Sequence, residues 1–257
     1  MKNIGLDRIR KMLETAHTEA NVFPHTDIYK EGWMLRILLS IQSDGTECFP
    51  FSFYPGARWF SEAKIGSPFL PRFQGDKLAD GYTTVDGVVG HFEFQPGTKI
   101  GLKLTSNSRQ FVVTEAKIFS PLSKKTTNAS YYDQATRNVA CMAWVVSESE
   151  KSVDEIESLG FYVVAPDSQI KRGVFSALVN KSNIRNKVKR RVDSYSKEDK
   201  KYLELQTWHE EFFNPIIKRI EMNCVAWESI IEKVDDPSIW DFYNRCLEFN
   251  ESAKNNP

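Results

Sequence analysis

Histidine and cysteine are scarce in this chain, with four of each among 257 residues. His17, His25, His91 and His209 are scattered, and Cys48, Cys141, Cys224 and Cys246 show none of the paired spacings of a zinc site or a disulfide framework. That argues against a histidine-rich zinc enzyme and against a disulfide-stapled scaffold. Long apolar runs are missing too. No window approaches the roughly 18 residues that a membrane span needs, and the opening MKNIGLDRIRKMLETAHTEA lacks the apolar segment of a secretion signal. The expectation is a cytoplasmic protein with reduced thiols and no membrane partner. Net charge is absent as well: basic and acidic residues number 34 each, so any nucleic-acid signal must be local.

What is present is apolar content of 41%, enough to bury a sizeable core. Residues 4–20 read as a charged amphipathic helix with Ile4, Ile9, Met12 and Leu13 as a partial stripe. The segment TDIYKEGWMLRILLSI offers an N-cap at Thr26 or Asp27 and reads as a helix as far as Ile41. Glu31 stands one and two turns before Leu35 and Leu38, at or beside the buried face. Residues 45–81 are rich in aromatics and turn formers, and prolines at 50, 55, 68 and 71 predict short elements and a structured loop. Strand patterns follow at 87–94 (GVVGHFEF), 100–105 and 109–119, separated by Pro-Gly and Ser-Asn-Ser turns, as in an antiparallel meander.

The third of these strands carries Glu115-Ala116-Lys117, which at period two places the carboxylate and the ammonium on one side and Ala116 on the other. A near copy, Glu62-Ala63-Lys64, lies upstream, so the triplet alone carries little weight. Context favours the later one. It sits on the stronger strand pattern, follows several acidic residues and leads toward a helix, although Arg58, Glu62 and Lys64 could line the same cleft. Asp86 precedes the first strand of the meander, whose fold brings it toward Glu115; Asp80, also followed by glycine, competes for that role. Two neighbouring carboxylates repel unless a cation joins them, and such oxygens suit Mg2+, with Mn2+ as the alternative. A lysine beside them can orient an attacking water and offset charge on phosphorus. The plainer reading is that Lys117 simply pairs with Glu115 or Asp86.

After a polar loop, residues 131–147 form a helix pattern with Gln134, Arg137 and Asn138 on an adjoining side, where they could meet the charged face of the strand or equally cap the meander by ordinary hydrogen bonds. A short acidic helix at 152–159 leads to a strand from Gly160 to Pro166, joined to the previous strand by a helical crossover. In this order, Glu31 in the first core helix, Asp86 before GVVGHFEF, Glu115-Ala116-Lys117 on the next strand and the Gln134 helix YDQATRNVA, the chain resembles a PD-(D/E)xK superfamily nuclease of the restriction-endonuclease-like group. Val85 stands where the family name has proline. The resemblance covers residues 26–166. It implies an α/β (α+β) fold with a mixed β-sheet flanked by helices and a helical C-terminal extension. It also implies a metal held by Asp86 and Glu115, Lys117 assisting the attacking water, Glu31 completing or supporting the metal site, and Gln134 bordering it.

The chain then divides into an N-terminal helical segment (1–25), a nuclease-like core (26–167) and a helical region (168–257) packed on it. Between Lys171 and Lys201 there are 11 basic against three acidic residues. Lys187, Lys189, Arg190 and Arg191, with Arg137, are the candidates for following a nucleic-acid backbone, as against a solvated helix surface. Residues 200–234 read as predominantly helical, followed by a last helix from Pro237. The expected function is a Mg2+-dependent nuclease acting on DNA, with RNA kept open and a homodimer or complex subunit as the assembly. The alternative is a non-catalytic nucleic-acid-binding or assembly protein on the same fold.

Overall fold

Five strands lie side by side in a mixed sheet in the order β1 (Arg58–Ile65), β2 (Thr83–Gly90), β5 (Gln110–Ala116), β6 (Ser158–Ala165) and β7 (Glu221–Ala226). The computed structural model that shows this describes residues 4–15, 18, 22–98, 101–126, 128–149 and 151–251. β1, β2 and β5 are antiparallel; β5, β6 and β7 are parallel. β3 (Phe92–Phe94) and β4 (Leu102–Leu104) form a separate hairpin between β2 and β5. All seven residues of β5 are buried, as expected of a central strand covered on both faces.

Helices α2 (Glu31–Ser43), α8 (Trp227–Val234) and α9 (Pro237–Glu251) cover one face, packing Leu35, Leu38, Trp227, Ile230 and Tyr243 against Val89, Val112 and Ala116. The other face carries α3 (Gln134–Ser147), α5 (Lys181–Val192), α6 (Lys200–Trp208), a π-helical turn (His209–Phe213) and α7 (Asn214–Arg219). There Val139, Met142, Val188, Trp208 and Ile216 meet Val88, Val113 and Phe161. A short α4 (Asp167–Lys171) follows β6. α1 (Ile4–Glu14) leaves Ile9, Met12 and Leu13 exposed. The helix ends at Glu14, with Thr15 in a turn, short of the predicted reach to residue 20; the predicted strand start at residue 100 falls outside the described residues.

The crossover from β5 through α3 to parallel β6 is present, and α3 begins at Asp133, whose Oδ1 accepts the Thr136 amide. Several elements differ from the sequence reading. α2 starts at Glu31, after Lys30, with no cap from Thr26 or Asp27. The preceding residues instead turn so that Tyr29 packs on Phe242 and Phe249 of α9. β2 begins before Asp86 and ends at Gly90, whose φ of +149° and contact with the Gln110 carbonyl leave no room for a side chain. The 152–159 helix is a single 3-10 turn, Val153–Glu155, and β6 starts at Ser158. The C-terminal region supplies a strand, β7. Its Met222 and Cys224 pack on one face and Val225 on the other, so period two fits the open edge of β6 better than a helix does. Among the described residues no helix is long and apolar enough to cross a membrane, and all four cysteines are free thiols.

Candidate active site

The sheet forks at Asp86. The β2–β5 ladder ends at the pair Gly87–Thr114, while β1 and β2 stay paired as far as Ile65–Thr83. β5 stays paired with β6, and the Lys117 amide still donates to the Val164 carbonyl at 2.8 Å. Close approach at the crotch requires glycine, since a Cβ on Gly87 would sit 2.3 Å from Thr114 Oγ1. Beyond the fork the Ala116 amide has no strand partner on the β2 side, and Asp86 Oδ2 accepts it at 2.8 Å. Asp86 therefore lies within β2 and not ahead of it, at the point where the strand leaves its neighbour.

This puts the Asp86 carboxyl near Glu115, close enough to act on it electrostatically. Glu115 is 1% exposed and points toward α3. Its Oε1 accepts from Lys117 Nζ at 2.8 Å and from Gln134 Nε2, and its Oε2 accepts from Asn138 Nδ2 at 3.1 Å. Burial pushes the Glu115 carboxyl well above the usual carboxylate range; Asp86 adds to this and Lys117 opposes it. For Lys117, burial works to lower the pKa, but the carboxylates of Glu115, Asp86 and Glu31 together outweigh it and the net shift is upward. Glu115, Lys117, Asp86 and Gln134 thus meet in one cluster. Asn138, one turn of α3 beyond Gln134, joins them.

Two acidic residues flank the cluster from the α2 side. Glu31, in the first turn of α2, is near enough to raise Lys117 electrostatically. Glu62 lies opposite Asp86 in the β1–β2 register and has a left-handed backbone, φ +57°. Burial, then Asp86, raises its carboxyl, while Arg36 lowers it. Arg36 bridges α2 to β1, with Nε donating to Ser61 Oγ at 2.8 Å and Nη2 lying 3.5 Å from Glu62 Oε1. The sequence reading overlooked Arg36, although it is the one charged residue inside WMLRILL. Of the remaining residues on β1, Lys64 is exposed. Arg58 donates to the Phe92 carbonyl at the far end of the strand, away from the cluster.

Asp80 stands apart from the cluster. Its Oδ2 lies 3.1 Å from Arg137 Nε, and Arg137 also donates to the Gly81 and Tyr82 carbonyls. Burial raises the Asp80 carboxyl against the opposing pull of Arg137. These two residues line a cleft of about 580 Å³ together with Thr84, Lys125, Asn128 and Gln134. Gln134 is the side chain shared between this cleft and the Glu115 cluster.

The other residues proposed to contact nucleic acid are already engaged within the protein. Arg191 is 1% exposed and donates to the Leu78, Ala79 and Asn128 carbonyls, pinning the loop after β1 to α5. A buried guanidinium holding three carbonyls does not face a phosphate backbone. Lys187 pairs with buried Asp133, the cap of α3, and Arg190 lies 3.8 Å over the Tyr131 ring. Lys189 pairs with Asp193 on the exposed side of α5. The basic run thus serves in large part to fasten α5 to the start of the helix that carries Gln134.

Among the described residues no group of three histidine, cysteine, aspartate or glutamate side chains converges as a ready cage for a metal ion. The Asp86–Glu115 pair is the arrangement that fits a hard cation best. Mg2+ is commonly held by one or two carboxylates with water and substrate phosphates completing the shell, and a cation there would offset the burial of Glu115 and its repulsion with Asp86. Comparison with protein-family models, with curated proteins and with solved structures gives no match.

Proposed function

We propose that the chain is a divalent-metal-dependent phosphodiester hydrolase, a nuclease of restriction-endonuclease-like architecture acting on DNA in the cytoplasm. One observation carries this reading: the sheet opens at Asp86 and gathers two carboxylates, a lysine and a glutamine at the end of its central strand. Asp86 and Glu115 would hold Mg2+ or Mn2+, with Glu31 in support from α2. Bound there, the cation would polarise the phosphodiester and lower the pKa of an attacking water.

The chain's own residues supply the rest. Glu115 must be deprotonated to act as a ligand, and the amides of Gln134 and Asn138 with the Lys117 ammonium favour that charged form. Lys117, partly buried and cationic, would orient the water and offset negative charge building on phosphorus. Gln134 ties the cluster to the neighbouring cleft, where Lys125 offers positive charge to a strand while Arg137 is held by Asp80. A second reading has its own support. Both Glu115 oxygens are satisfied within the protein, and Lys117 neutralises it, as in a structural charge cluster of a non-catalytic nucleic-acid-binding or assembly protein.

A cleavage assay with Mg2+ on single-stranded, duplex and branched DNA and on RNA separates the two. The expected result is metal-dependent cleavage by the wild type and a loss on the order of 10²–10⁴-fold in Lys117→Ala and Glu115→Ala. Binding without metal-dependent cleavage in the wild type would favour the second reading.

A further inference from the structure

Tyr82 stands at the boundary of two cavities. Its neighbours Gly81 and Thr83 line the cleft that Gln134 shares with the Glu115 cluster, and its own ring lines a second, smaller pocket of about 110 Å³. The segment is tied to α3, since Arg137 donates to the Gly81 and Tyr82 carbonyls. Tyr82 itself stays 51% exposed and can be reached from outside.

The smaller pocket brings two aromatic rings together over a bare floor. Tyr82 and the Trp144 indole of α3 converge on Gly66, the residue after β1, where a Cβ would lie 3.1 Å from Trp144 and 3.8 Å from Tyr82. Glycine leaves the space between the rings open. Trp144 is held in place by Trp208, with 6.3 Å between ring centroids, and by the Lys201 ammonium 5.4 Å over its ring. Polar groups complete the lining. Gln95 is half-buried and Glu148 exposed, and their side chains make no hydrogen bond among the described residues. An amide can both donate and accept, and a carboxylate accepts. Aromatic faces with unpaired donors and acceptors beside them suit a planar heteroaromatic ring, which offers a π-face for stacking and polar atoms around its edge.

We propose that this pocket takes an unstacked nucleobase of a single-stranded nucleic acid, with Tyr82 as its stacking face. The inference deepens the nuclease reading and rests on it for the strand, which would run from the cleft past Gly81 to Tyr82. Trp144 lies ten residues after Gln134 on α3, roughly 15 Å along the helix, so a base seated here belongs to a nucleotide beyond the one at the Glu115 cluster. A duplex keeps its bases stacked on one another and has no free face to offer Tyr82, which makes an unpaired strand the fitting partner. A free nucleotide presents the same base, and the two sources are separable by experiment.

The test is binding of the full-length protein, in EDTA so that no cleavage intervenes, to a fluorescein-labelled single-stranded DNA oligonucleotide and to its duplex, together with photo-cross-linking of the same strand carrying iodouracil. The expected result is preference for the single strand, with binding weakened about five- to hundredfold in Tyr82→Ala and near the wild-type level in Tyr82→Phe. The cross-link, mapped by mass spectrometry, should fall on Tyr82 or Trp144. A cross-link formed at these rings equally well by iodouridine monophosphate at the same concentration would overturn the strand in favour of a free nucleotide. No binding of the strand, equal binding of the duplex, undiminished strand binding by folded Tyr82→Ala, or cross-links confined to other residues would overturn the proposal. The expected binding without Mg2+-dependent cleavage would count against the nuclease reading and leave the base pocket standing.

Discussion

Glu62-Ala63-Lys64 and Glu115-Ala116-Lys117 share their residues and the isoleucine that follows, yet the fold treats them differently. The first lies on β1 at the sheet edge, where Lys64 is exposed and the Glu62 side chain is 50% exposed. The second ends the central strand β5, where Glu115 is sealed under α3 and ringed by three nitrogen donors. The two alanines face opposite layers, Ala63 the α3 side and Ala116 the α2 side. On β1 the strand alternation slips at Glu62: Phe60 and then Ala63 and Ile65 all reach the α3 side, with the left-handed backbone of Glu62 between them and the β1–β2 register unbroken. Both glutamates neighbour Asp86; what separates the triplets is burial, which encloses Glu115 and leaves Glu62 half exposed. At the edge the same letters give a solvated strand with one strained residue.

The largest expected contrast is in catalysis. Lys117→Ala and Glu115→Gln should each reduce Mg2+-dependent cleavage on the order of 10²–10⁴-fold, while Lys64→Ala should change it by less than about threefold, the scale of a surface substitution. Equal losses at both lysines would erase the distinction. Folding comes next. Glu115→Gly should lower stability by several kcal/mol because it leaves buried amides and an ammonium without their acceptor, roughly 1–3 kcal/mol for each; thermal unfolding followed by circular dichroism measures it.

A smaller effect concerns pH. The folded Glu115 carboxyl is raised from its ordinary 4.5 to about 8. A raised carboxyl contributes its full stability below the ordinary value and loses it as pH rises through the folded one. Metal-free protein should therefore lose stability between those values, and Glu115→Gln should flatten that part of the profile in denaturant titrations. Glu62, also raised but half exposed, should give a weaker slope. The smallest effect is at the edge itself: Glu62→Gly should raise the melting temperature by about 2–4 °C through relief of roughly 1 kcal/mol of left-handed strain. A lowered melting temperature would mean that the contact with Arg36 outweighs the backbone cost.

Much of the cluster was legible because its members lie on elements with clear periodicity. Alternation placed Glu115 and Lys117 on one side of β5, and helical spacing placed Gln134 and Asn138 one turn apart on α3, so a helix crossing that face had to meet them. The roles of Arg191 and Lys187 were not legible. A basic run looks the same whether its side chains face solvent or reach a loop and a helix cap, and the partners here, Leu78, Asn128 and Asp133, come from distant parts of the chain. β7 was hidden for a related reason, since a six-residue segment becomes a strand when a sheet edge is available to receive it.

By itself the sequence determined the central strand and the helix after it, the placement of Glu115 and Lys117 on one side of that strand, and the presence of Asp86 and Gln134 on neighbouring elements. Only the tertiary structure decided that β2 parts from β5 at Asp86, that Asp80 is drawn to Arg137 instead, and that one of two equal triplets is buried. Periodicity is a property of adjacent residues, and the chain carries it in its order. Burial, and the place where two strands separate, depend on contacts between residues far apart along the chain, and those exist only once the sheet has formed.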